Sequence, residues 1–154
     1  MDTILSKIEV LLQTNNCTYK KVSHRPTFTS EESAAVRGEP LEYGAKALLI
    51  KADEGFVILI MSAVQKLDSK KAKHALGVKK IRFATQEELK NLTGLVPGSV
   101  PPFGNPVLPF KLFIDTSITG LARVAFNAGS LEVSIIMDTN EYLKISNGDV
   151  IPIT

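Results

Sequence analysis

At 154 residues, 44% hydrophobic and 22% charged, the chain suits one globular domain over residues 1–154 with a sizeable core. A net charge of +2 does not mark a nucleic-acid binder, although a local patch matters more than the total, and a single cysteine, Cys17, excludes a disulfide framework. Nothing resembles a signal peptide and no apolar run is long enough to span a bilayer, so a cytoplasmic protein without membrane association is expected.

Asp2 is placed to cap a first helix, in which Ile4, Leu5, Ile8, Leu11 and Leu12 recur at helical spacing. Thr18 to Val22 alternates like a short strand, and His24-Arg25-Pro26 reads as a turn or extended corner. Thr29 and Glu32 have capping-box spacing and open a short helix that Gly38 ends. Ala45 to Lys51 and Phe56 to Met61 are almost wholly apolar, which predicts two central strands joined by a hairpin at Asp53-Glu54-Gly55. Asp68 or Ser69 caps a helix to Leu76. Val78 to Phe83 reads as a strand, and Thr85 with Glu88 opens a helix that stops at Gly94. Strands are expected over 111–115, 123–127 and 133–137, then a helix capped by Asp138 and an edge strand over 150–153, where Pro152 is tolerated. About seven strands and five short helices in mixed order describe an α+β fold. Its central mixed sheet is partly barrel-like and surrounded by short helices, without regular βαβ alternation.

The segment Thr93–Pro109, TGLVPGSVPPFGNPVLP, can be neither a helix nor a central strand. Its prolines fix φ, and Gly94, Gly98 and Gly104 are free to take positive φ. Six apolar residues in it want burial, so it reads as a stiff, shaped loop. It forms either the wall of a pocket or a rigid connector.

Few residues offer chemistry. Lys46, at the head of an apolar strand, can meet a carboxylate, phosphate or ribose hydroxyl, or hold its ammonium in water. His24 can act as a base or as a structural turn residue. Nothing orients Cys17 and His24 as a nucleophile pair. Residues 66–82 are the most basic stretch, with Lys66, Lys70, Lys73 and His74 at helical spacing; a phosphate backbone or plain solvent would satisfy them. No nucleotide-binding glycine motif and no metal-spaced His/Cys cluster is present, so neither metal nor organic cofactor is expected.

The ordered series His24-Arg25-Pro26, AKALLIK, KLDSKKAKHALG, FATQEEL, TGLVPGSVPPFG, FIDTSI and NAGS resembles the YbaK/prolyl-tRNA-synthetase-associated editing domain family. The resemblance runs from about residue 20 to the end of the chain. It implies a freestanding deacylase that hydrolyses the ester of a wrongly charged tRNA, typically tRNA for proline carrying alanine or cysteine. Its partners would be the tRNA acceptor end and prolyl-tRNA synthetase. The site it implies gives catalytic roles to Lys46, Gly98, Ser99 and Gly129. Substrate contacts would come from His24, Thr29, Val100, Pro101, Pro102, Phe103, Gly104, Ala128 and Ser130, and tRNA contacts from Lys66, Lys70 and Lys73. The chain departs from some relatives in lacking a histidine near Ala128-Gly129-Ser130, and in having Ser130-Leu131 where freestanding members often carry a basic residue and glycine.

That chemistry is consistent with the residues. A synthetase gains only about 1–3 kcal/mol of discrimination from one methylene, so a second sieving site is useful. Backbone N–H groups near Gly98 and Ser99 could hold the developing oxyanion, and with no convincing protein nucleophile, water attacks directly. Two rival readings stand beside it: a non-catalytic module of the same fold that binds tRNA or a synthetase, and a small-molecule hydrolase using Cys17 or His24.

Overall fold

The computed structural model describes residues 3–154. The first helix, α1 (Ile4–Thr14), is capped by Thr3, whose hydroxyl accepts the Ser6 N–H at 3.0 Å; Asp2 lies outside the described residues. The chain continues as β1 (Tyr19–Ser23), α2 (Ser30–Arg37), a short 3-10 turn over Leu41–Tyr43, β2 (Ala45–Ala52) and β3 (Gly55–Ser62). Then follow α3 (Ser69–Leu76), β4 (Ile81–Phe83), α4 (Gln86–Thr93), β5 (Lys111–Asp115), α5 (Thr116–Thr119), β6 (Arg123–Asn127), β7 (Val133–Asp138), α6 (Thr139–Ser146) and β8 (Asp149–Ile151).

The helix signals are used much as the sequence writes them. Thr29, Asp68, Thr85 and Asp138 cap α2, α3, α4 and α6 with their side chains. Only Thr85 completes a capping box, with the Glu88 carboxylate returning to the Thr85 N–H at 2.9 Å. The Glu32 carboxylate turns instead to Arg25, at 3.1 Å. Lys66 precedes α3, so it does not share a helical face with Lys70 and Lys73. The basic segment after α3 pairs as strand only over Ile81–Phe83, because Lys79 and Lys80 present their N–H groups to the Asp53 carboxylate.

Eight strands among the described residues form two sheets. One is antiparallel, in the order β1-β7-β6. The other is mixed, in the order β4-β2-β3-β5-β8, with β5 parallel to both β3 and β8. The two apolar runs do form central strands, β2 and β3, paired from Ala45↔Ser62 to Ala52↔Gly55. The expected partly barrel-like sheet is therefore split, and its halves meet at a parallel bridge between Gly44 and Ala125. Past that bridge, β4 pairs only with Ile50–Ala52, so the edge of β2 over Ala45–Leu48 has no strand beside it.

Alternation along β2 and β3 supplies two cores. Ala45, Leu49, Ile58 and Ile60 face the main apolar cluster, together with Phe126, Ile135 and Tyr142. Ile50, Leu59 and Met61 face a smaller one under α3. The proline-rich loop enters the main cluster: Val100 to Gly104 are all buried. Phe103 stacks edge-on to Phe126 and Tyr142, with centroids 5.4 and 5.5 Å apart. The Tyr142 hydroxyl donates to the Pro102 carbonyl at 2.7 Å. Burial pushes that phenol far above its ordinary range, so it stays a donor. Gly104 does not adopt positive φ; glycine is needed there because a Cβ would run into the Phe110 carbonyl oxygen.

Candidate functional site

The seam where the sheets separate is a cleft of about 230 Å³. One wall is the unpaired edge of β2, Ala45 to Leu48, and another is the entrance to α2, Thr27 to Ser33. The far side is Asn127 with Gly98 and Val100 of the proline-rich loop. Of the residues expected from sequence, Lys46, Thr29, Gly98 and Val100 meet here.

Lys46 is half-buried, and its ammonium donates to the Gln65 carbonyl at 2.8 Å. Burial, and then the nearby Lys66 charge, lower its pKa below the ordinary lysine range, with Glu31 opposing. A carbonyl, unlike a carboxylate, leaves the ammonium's charge uncompensated for an anionic ligand.

Gly98 occupies a tight turn. Pro97 precedes it, its φ is +87°, and the Ser99 N–H bonds back to the Val96 carbonyl at 3.1 Å. Proline followed by glycine at positive φ is the signature of a type II turn. That hydrogen bond consumes the Ser99 N–H, and the Ser99 hydroxyl is likewise tied to Val96. The sequence expectation of paired donors at Gly98 and Ser99 is therefore corrected: the Gly98 N–H alone of the two has no acceptor among the described residues.

The turn is latched from behind. Asn127 Nδ2 donates to the Gly98 carbonyl at 2.7 Å, while Asn127 Oδ1 accepts Arg37 Nη2 at 3.0 Å and the Ser134 hydroxyl at 3.1 Å. Arg37 Nε also donates to Ser134 Oγ at 2.8 Å. Burial lowers the pKa of this guanidinium to about 10, with Glu39 opposing. The group remains charged at neutral pH and fixes the asparagine amide's orientation.

The other expected residues lie elsewhere. His24 sits behind the latch, Nε2 2.8 Å from Ser134 Oγ, and is not part of the cleft wall. Ser99, Pro101, Pro102, Phe103 and Gly104 are buried in the body of the loop. Ala128 is buried at the β6–β7 turn, Gly129 packs against Ile4 of α1, and the Ser130 hydroxyl accepts the Glu132 N–H at 3.0 Å. Cys17 packs beside α1, away from the cleft, and burial raises its thiol pKa above the ordinary value, which disfavours the thiolate. Lys66 and Lys70 are exposed and Lys73 is half-buried. Sequence reading missed Phe28, Arg37 and Asn127. Phe28 is 75% exposed at the mouth of the cleft, where a lone large aromatic side chain has no core to join.

No group of three or more His, Cys, Asp or Glu side chains among the described residues could hold a metal ion. No helix among them is long and apolar enough to cross a membrane.

Residues 24–145 match the model of the aminoacyl-tRNA editing domain. The chain belongs to the aminoacyl-tRNA editing domain family. It is 31% identical over 151 residues to the multifunctional Ser/Thr-tRNA deacylase ProXp-y of Escherichia coli K12, covering 94% of this chain and 89% of that protein. It is 25% identical over 138 residues to the prolyl-tRNA editing protein ProX of Acetoanaerobium sticklandii, covering 85% and 84% of the two chains. A crystal structure described as a candidate trans-editing enzyme for prolyl tRNA synthetase superposes with a TM-score of 0.84 at 25% identity, over 100% of this chain and 98% of that one. Family, fold and enzyme class are those the motif series implied.

Proposed function

We propose that the protein is a trans-editing deacylase that hydrolyses the ester between a small amino acid and the 3′-terminal adenosine of tRNA. The observation that carries this reading is the meeting of Lys46 and Gly98 on opposite walls of one small cleft. Water attacks the ester carbonyl carbon. The negative charge on the former carbonyl oxygen is held by the Gly98 N–H, a contribution of about 3 kcal/mol in known hydrolases. Collapse of the tetrahedral intermediate expels the ribose oxygen, which takes a proton and leaves free amino acid and uncharged tRNA. Lys46 supports the terminal ribose and phosphate, and Phe28 offers its ring face to the terminal adenine. Prolyl-tRNA synthetase is the natural partner to supply the substrate.

Alanine or cysteine on tRNA for proline is the expectation from the motif series. The cleft favours a hydroxylated residue instead. Thr27 and Ser33 bond to each other, Thr29 caps α2 and Asn127 is held by its own partners, but the Ser30 hydroxyl lines the cleft without a partner among the described residues and suits serine or threonine, the amino acids named for the E. coli relative. A site built to hydrogen-bond a hydroxyl rejects the analogue lacking it far more strongly than an apolar site rejects a methylene.

Purified protein incubated with alanyl-, cysteinyl-, seryl- and threonyl-tRNA should release free amino acid, fastest from the hydroxylated pair. Inertness toward the whole panel, with uncharged tRNA still bound, would leave the non-catalytic binding module instead.

A further inference from the structure

Charge is divided unevenly along the chain. Residues 66–82 hold seven lysine or arginine side chains and one carboxylate, a net of +6 against +2 for the whole protein, so the remainder carries −4. Part of this charge is absorbed locally. Arg82 makes a two-pronged bond to Glu88, at 2.7 and 2.9 Å. Asp53, at the tip of the β2–β3 hairpin, accepts the backbone N–H groups of Lys79 and Lys80 at 3.0 Å each. Of the six lysines that remain in this stretch, Lys73, Lys79 and Lys80 converge with Lys51 of β2, and none of these four ammonium groups has an ion-pair partner among the described residues. All four line one cleft of about 480 Å³ between the hairpin tip and the segment joining α3 to β4, with Glu54 as a further carboxylate. Four unpaired cations around one concavity repel one another and raise the local concentration of anions.

This cleft is not the one that holds Lys46. Lys46 and Lys51 lie five residues apart on β2, about 17 Å at the rise of an extended strand, and their odd separation sends the two side chains to opposite faces, so an acceptor end that reaches both passes over the unpaired edge of β2. That span suits a few unstacked nucleotides, as in a single-stranded 3′ end whose terminal residue is held at one point and whose duplex begins at another. We propose that the cleft between the hairpin tip and the α3–β4 segment binds the phosphodiester backbone of the tRNA acceptor stem, while the aminoacyl end enters the seam between the sheets. The inference rests on the deacylase reading for its substrate but concerns a separate surface. Lysine contacts to phosphates position a nucleic acid without reading its sequence, so this site sets affinity and register, not the choice of amino acid.

The test uses the full chain and the double variant Lys79→Glu/Lys80→Glu. Their backbone N–H groups, which hold Asp53, are kept. Binding of uncharged tRNA is measured from low to moderate salt, and hydrolysis is compared on full-length mischarged tRNA and on aminoacylated adenosine, which is too short to reach the cleft. The double variant should weaken tRNA binding about tenfold or more and lower the salt slope by about two, as expected when two phosphate contacts are lost. The preference for full-length over short substrate should fall by a similar factor. Wild-type tRNA affinity and wild-type substrate preference in the variant would overturn the proposal. So would saturable inorganic phosphate binding that the variant abolishes without any change in tRNA affinity, since the cleft would then serve a free anion. Because uncharged tRNA reports binding by itself, a wild-type protein that binds through the cleft yet hydrolyses nothing would uphold this site and reject the deacylase reading.

Discussion

Replacing Asn127 by aspartate isolates the latch behind Gly98. The carboxylate keeps both acceptor roles of the amide oxygen, toward Arg37 Nη2 at 3.0 Å and the Ser134 hydroxyl at 3.1 Å. It loses the single donor, Nδ2, that holds the Gly98 carbonyl at 2.7 Å, and sets an acceptor against an acceptor there. A neutral hydrogen bond contributes about 1 kcal/mol, and pairing with the half-buried Arg37 offsets much of that, so the fold should change by about 1 kcal/mol or less. Asn127→Ala is the contrasting change. It leaves the Arg37 and Ser134 donors without their acceptor and should destabilise by about 2–3 kcal/mol. Both variants free the turn that presents the Gly98 N–H. If that donor stabilises the oxyanion by about 3 kcal/mol, single-turnover hydrolysis should slow by up to about 100-fold in each. Rates on mischarged tRNA, read beside thermal melts, separate the two effects: Asn127→Asp should be stable and slow. A stable Asn127→Asp protein whose turnover stays within about twofold of wild type would refute the assignment of Gly98 as the oxyanion donor.

Four further outcomes follow from the geometry. Lys46→Ala should lower deacylation at least about tenfold while the melt is retained, in line with losing one charge-assisted contact. Because burial depresses the Lys46 pKa, wild-type activity should fall as pH rises through a value below the usual lysine figure of about 10.4, and Lys46→Arg should move that fall to higher pH. Absence of any alkaline limb after subtraction of spontaneous ester hydrolysis would remove the ammonium from the mechanism. Tyr142→Phe orphans the Pro102 carbonyl and should cost about 1–2 kcal/mol in denaturant titration, loosening the loop that carries Gly98. The bond from Arg82, with the Thr85 N–H, holds the Glu88 carboxyl at about 2, below its unfolded value, so its stabilisation is present at neutral pH and disappears as pH falls toward 2. Melting temperatures of wild type and Glu88→Gln should therefore differ at pH 7 and converge near pH 2; a constant difference would show that the charge is not the cause.

Local features were the most legible in the sequence. Caps at Thr29, Asp68, Thr85 and Asp138 and the stops at Gly38, Gly77 and Gly94 depend on neighbours within one helical turn, and each was readable from spacing. The apolar runs identified β2 and β3 as central strands for a similar reason: a strand covered on both faces has no polar alternation to display. What could not be read was where distant segments cross. Asn127 stands directly before the quoted Ala128-Gly129-Ser130, yet its role depends on Gly98 and Arg37 arriving from elsewhere in the chain. His24 and Ser134 are brought together only by the β1–β7 pairing. The turn at Pro97-Gly98 was locally encoded, but nothing local showed that Ser99 would use up its own N–H to close it. The split of one sheet into two was hidden as well, since a single bridge at Gly44 and Ala125 decides it.

The proline-rich loop is at once a wall of the cleft and part of the apolar core, since Val100 borders the cleft while Phe103 stands between Phe126 and Tyr142. This divides the cleft into two kinds of ground for evolutionary change. A residue altered on the loop must still satisfy the interior, so drift there is punished through instability before any new substrate can be selected. The opposite wall, where Phe28 and Thr29 are exposed, carries no such debt. Relatives that sieve different amino acids are therefore expected to diverge along the entrance to α2 and to hold the loop nearly fixed, with one side of the cleft conserved as scaffold and the other exploring new specificities.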